Sequence, residues 1–267
     1  MTLVVLSLGG LALFLWPFAG AGLPPDTPAI AVALGALGAL VLVEFGARRL
    51  DVRALALLAA IAAIDAALRL ALVTGIGGFS PIFFLILCAG YVFGPAFGFE
   101  AGALAMLVSA IATGGIGPWL PYQLFAAGWV GVAAGVVGGR LTTAPSRRDI
   151  VLLALVGLVT GFAFGALMDV WDWTFFAGSP DLGWVPGAPL AETIGRFGRF
   201  YLVTSLAYDA FRAVGNAVLI AVAGAPVLAA LGRLRARLHF EVVAVAAAPP
   251  PEATPPEMSA EATREAS

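Results

Sequence analysis

Eight apolar runs dominate this sequence, most of them close to the ~20 residues that a helix needs to cross a hydrocarbon layer. They fall at about 3–20, 29–47, 54–73, 79–95, 98–114, 121–139, 150–170 and 200–232. The fourth and fifth are divided only by Gly94, Pro95 and Gly98. Inside lipid each backbone N–H and C=O must be satisfied within its own segment or a closed barrel. Runs of this length therefore predict an all-α fold: a polytopic membrane helix bundle of eight transmembrane helices. Composition agrees, with 61% hydrophobic and 11% charged residues over 267 positions. Soluble domains average about 45–50% apolar and about 25% charged.

The charged residues exclude several functions. Net charge is −2 and no basic face exists, so nucleic acid is not an expected partner. All 14 basic residues are Arg. Without Lys there is no G-x-x-x-x-G-K loop for ATP hydrolysis and no Schiff-base chemistry. Cys88 and His239 are the only residues of their types, which leaves no disulfide, no thiolate cluster and no His cluster. A rhomboid-type protease needs His within the membrane, whereas His239 follows the last run. A zinc protease needs H-E-x-x-H, which is missing. Tyr208-Asp209 matches half of an aspartyl intramembrane protease, but Gly-x-Gly-Asp is missing. No catalytic residue, metal ligand set or cofactor is expected.

Arg placement predicts orientation, because positive loops stay in the cytoplasm. Nine Arg fall on one side of an eight-span bundle: Arg48, Arg49, Arg53, Arg140, Arg147, Arg148, Arg233, Arg235 and Arg237. The opposite loops carry only Arg196 and Arg199, both in the long stretch 171–199. Both termini are thus expected in the cytoplasm of a bacterial cell. Ala19-x-Ala21 resembles a signal-peptide cleavage site, but no basic n-region precedes it. The expected organisation is two extra N-terminal helices over 1–48, a six-helix core over 49–240 and a disordered tail over 241–267. That tail is rich in Ala, Pro, Glu, Thr and Ser and cannot bury a core.

Small residues at four-residue spacing mark faces where membrane helices approach. Gly131, Gly135 and Gly139 form one such face, and Gly157, Gly161 and Gly165 another; both read as internal packing. The third run instead shows a smooth face of Ala59, Ala63 and Ala67, suited to a contact that forms and slides. Ionisable groups inside the membrane mark candidate sites. Asp65 and Arg69 are four apart on the third run, and Asp209 and Arg212 are three apart on the eighth, with Asn216 a turn further. At 1.5 Å per residue, Arg69 lies roughly 24 Å above Arg53, and Asn216 roughly 26 Å above Arg233. The two polar sets therefore sit at similar height, in the outer half. Either each pair neutralises itself, or both present charge to a ligand from outside. Trp119, Tyr122, Gln123, Asp169, Trp171, Trp173, Tyr201 and Tyr208 surround that height, as a binding-site lining or an interfacial aromatic belt. The glycine-rich loops 74–81 and 113–121 read as gates or as tight turns.

From about residue 50 to 235 the chain resembles the substrate-binding S component of an energy-coupling factor (ECF) vitamin transporter. The carriers are Ala66-Ala67-Leu68-Arg69, Gly78-Phe79-Ser80-Pro81, Gly90-Tyr91-Val92-Phe93-Gly94-Pro95 and, most specific, Gly117-Pro118-Trp119-Leu120-Pro121-Tyr122-Gln123. The resemblance implies a six-helix membrane subunit without its own ATPase that captures a vitamin or related micronutrient and works with a T component and two ABC ATPase subunits. It places Ala59, Ala63 and Ala67 against the T component. The expected ligand contacts are Arg69, Trp119, Gln123, Asp169, Trp173, Asp209, Arg212 and Asn216. Cobalamin is the substrate the resemblance brings forward, with thiamine, a pyrimidine precursor, riboflavin and queuine still open. A stand-alone proton-coupled transporter and a non-transport membrane scaffold are the competing classes. The two N-terminal runs depart from the family pattern.

Overall fold

A computed structural model describes residues 2–19, 52–71, 82–138, 144–175 and 181–238. These residues form helices and turns, with no strand among them. The helices are α1 (Thr2–Ala19), α2 (Val52–Ala71), α3 (Ile82–Phe93), α4 (Pro95–Thr113), α5 (Leu120–Val137), α6 (Arg147–Phe175), α7 (Leu190–Thr204) and α8 (Leu206–Leu238). Among the described residues, four stretches are long and apolar enough to cross a membrane: Pro95–Thr113, Leu120–Val137, Arg147–Thr174 and Leu206–Arg237. The expected run 29–47, the loop 74–81 and the tail from 241 lie outside the described residues.

Where the described helices differ from the sequence reading, local chemistry explains the difference. The expected fourth run, 79–95, becomes a helix ending at Phe93, because Gly94 adopts φ 98° and turns the chain straight into α4. Only glycine takes that conformation readily. The loop expected over 171–199 is partly helical: α6 continues to Phe175 and α7 begins at Leu190. The single run expected over 200–232 is broken at Ser205, and α8 then extends to Leu238. At 113–121 the chain makes a capped turn, with Gly114 at φ 68° and Gly115 N–H donating to Ala110 O at 2.8 Å.

The core lies among α3, α4, α5, α6 and α8, built from residues such as Phe83, Leu87, Phe99, Tyr122, Leu153, Ile220 and Leu228. Glycines bring these helices together. A Cβ on Gly98 or Gly131 would strike the other residue's backbone carbonyl, and one on Gly102 would strike Ala127 O. Gly161 of α6 lies against the Ala213 backbone of α8. Both glycine faces therefore serve internal packing, with Gly139 outside the described residues. The alanine face does not: Ala59, Ala63 and Ala67 are exposed, while Leu58, Ile61 and Ala62 on the other side of α2 are buried. α1 joins the same core. Phe14 meets the Tyr122 ring edge-on at 5.0 Å, and Trp129 Nε1 donates to Ser7 Oγ at 3.1 Å.

Candidate functional site

The packing of α6 on α8 creates a polar seam inside an otherwise apolar bundle. Gly165 leaves the space that the Asp209 carboxylate fills, and Gly157 leaves space beside Asn216. Asp209 and Asn216 are fully buried and Asp169 is nearly so. Asp209 forms an ion pair with Arg212, one turn along α8. The Arg212 guanidinium also lies 5.3 Å from the centroid of the Phe164 ring, a cation–π contact. Ser205, at the break between α7 and α8, donates to Asp169 Oδ1 at 2.7 Å. Tyr201 of α7 lies beside Asp209. Burial, then that carboxylate, push its hydroxyl up to about 12, so it stays a protonated donor.

The seam is incompletely satisfied. Asp169 Oδ2, Asp209 Oδ2 and both polar atoms of Asn216 have no hydrogen-bond partner among the described residues. Each such buried group costs about 1–3 kcal/mol when unpaired. Four of them are a large charge against a total stability of about 5–15 kcal/mol. A self-neutralising ion pair accounts for Asp209 and Arg212 but leaves this cost in place.

Aromatic rings gather at the same end of α6 and α8. Trp173 is buried, donates from Nε1 to Leu182 O at 2.6 Å, and meets the Phe197 ring at 5.2 Å. Trp171 lies between Tyr122, at 5.4 Å, and Trp119, at 6.5 Å. Trp119 donates to Gly115 O at 3.1 Å. Gln123 is half-buried in the first turn of α5, its backbone N–H donating to Trp119 O at 3.0 Å.

Of the eight expected ligand contacts, Asp169, Asp209, Arg212 and Asn216 share the seam, with Trp173, Trp119 and Gln123 around its end. Arg69 stands elsewhere. It donates from Nη1 to Met106 Sδ of α4 at 3.0 Å, a weak acceptor. Asp65 is fully buried with neither oxygen paired among the described residues, so the Asp65–Arg69 pair does not form. α3 supplies Phe83 against Phe164 and Leu87 against Gly157, on the face of α6 that carries the seam. Ser205 and Phe164 went unrecognised as members of the site. A serine inside a continuous apolar run carries no signal, and Phe164 reads as lipid-facing until its neighbour is known.

Fold and seam define a multi-pass helical membrane protein with buried polar groups between two of its helices. Residues 52–224 match the family model of the ECF transporter, substrate-specific component. The match covers most of the chain, which belongs to that family. The family's members are transport subunits, not enzymes, and associate with a T component and ATPases. The match opens at the first residue of α2 and ends within α8, leaving α1 outside. No curated protein and no solved structure matches the chain.

Proposed function

We propose that this S component captures a vitamin or related micronutrient from outside a bacterial cell and passes it inward with a T component and two ABC ATPase subunits. Both termini lie in the cytoplasm. The six-helix core over 49–240 carries the ligand, with the helices before it as an addition. The observation that carries this reading is the seam of unsatisfied polar atoms on Asp169, Asp209 and Asn216. Arg212 and Asp209 orient the ligand's polar groups, and Trp173, Trp119 and Gln123 enclose its ring system.

The test is purification followed by mass spectrometry of any retained small molecule, with cobalamin and thiamine the first candidates to add back. A stoichiometric vitamin lost in Asp209→Asn and Arg212→Ala supports the reading. A purified protein that retains nothing, and whose melting temperature no vitamin raises, overturns it. Asp65, buried and unpaired, favours one second reading, a proton-coupled transporter. Uptake in cells lacking any T component or ATPase would establish that alternative.

A further inference from the structure

Besides Asp65 and Arg69 of α2, Glu100 is an ionisable side chain within the helices that has no place in the seam. Glu100 lies on α4, half-buried, without a hydrogen-bond or ion-pair partner among the described residues. It stands five residues beyond Pro95, about 8 Å into the span. Its neighbours show where it faces. Gly98 meets both Gly90 of α3 and Gly131 of α5, and Ala101 packs in a cluster with Ala89 of α3 and with Leu58 and Ile61 of α2. At about 100° per residue, Glu100 turns away from α3 and α5 onto the flank of Ala96 and Ile111, which are exposed.

The same flank carries the alanine face of α2. Leu58 and Ile61 cluster with Phe97 and Ala101, and further along Arg69 meets Met106, so α2 and α4 run parallel at matched height. Ala59, seven residues beyond Val52, lies about 10 Å along its helix. α3 covers one side of this helix pair. Helical periodicity puts Glu100 on the other side, the one that also carries the exposed Ala59 and Ala63.

We propose that Glu100 anchors the T component by receiving an Arg or Lys side chain from one of its transmembrane helices, seated on the alanine face of α2. The inference rests on the S-component reading. A partner helix can approach closely over small side chains. A face of evenly spaced alanines, however, is nearly the same at every turn and does not fix the height at which a partner stops. A single carboxylate at one depth fixes it. Intramembrane carboxylates are costly beside lipid and are found paired, so the acidic group selects a basic partner.

The experiment uses the full chain, tagged and co-expressed with its T component and ATPases. Glu100→Gln is expected to weaken the complex by about tenfold or more. The purified variant keeps its melting temperature and its retained ligand. Ala63→Leu, which fills the face without touching charge, lowers complex yield in the same way. Glu192→Gln, on the exposed side of α7, leaves the complex intact. An unchanged complex with Glu100→Gln overturns the inference and leaves the S-component reading standing. So does a lowered melting temperature of the isolated variant, which would place the partner of Glu100 within this chain. A wild-type chain that holds neither ligand nor T component fails the underlying reading and this inference together.

Discussion

Gly165 is the residue on which the seam depends most directly. Any Cβ there would occupy the position of the Asp209 carboxylate. Gly165→Ala therefore drives Asp209 out of its place beside Arg212, at the about 1–3 kcal/mol typical of overpacking. Differential scanning fluorimetry in detergent should show a lower melting temperature, and ligand retention should fall with it. Asp209 and Arg212 should also behave as a coupled unit. Removing one partner of a buried pair leaves an uncompensated charge, costing about 3–5 kcal/mol. Asp209→Asn and Arg212→Met combined should thus destabilise by less than the sum of the two single variants. A double-mutant cycle checks this, and strict additivity would show that the pair contributes nothing as a pair.

At the scale of helices, the apolar runs made most elements legible, because lipid enforces helix and length together. What was hidden is local. Gly94 looked like one of several glycines dividing two runs, and only its φ of 98° shows that a single residue turns α3 into α4. The break at Ser205 was invisible because both sides are apolar enough to read as one run. α7 also escaped notice, as its amphipathic pattern is too polar to resemble a span. The site was half legible. Residues on α8 follow from helical spacing, whereas Arg69 was grouped with them on height alone, and height says nothing about which helices are neighbours. The glycines give a clean test of the packing. Gly131→Ala must part α4 from α5, since Gly98 backbone blocks the added carbon. It should lower the melting temperature by several degrees. Gly195→Ala, on the exposed side of α7 with nothing within 4 Å, should instead stabilise by about 0.5–1 kcal/mol through helix propensity. Equal effects from the two would mean that the glycine faces are not contact surfaces.

For the molecule as a whole, everything about capture depends on which way the bundle faces. The Arg bias argues for one orientation, and its two exceptions have a structural explanation. Arg196 pairs with Glu192 at 2.9 Å, and Arg199 reaches Asp181 O at 3.5 Å, both on or beside α7. These cations are held in a surface helix after α6 has crossed, where they weigh little on insertion. The chain offers a clean way to test the orientation, because Cys88 is fully buried and the background carries no other thiol. Ile116→Cys places a thiol in the exposed turn between α4 and α5, and Ala236→Cys places one near the end of α8. With a membrane-impermeant maleimide, Ile116→Cys should label in intact cells and Ala236→Cys only after permeabilisation. The reverse pattern would turn the Trp119 and Trp173 end of the α6–α8 seam toward the cytoplasm, where its polar groups cannot collect a solute from outside.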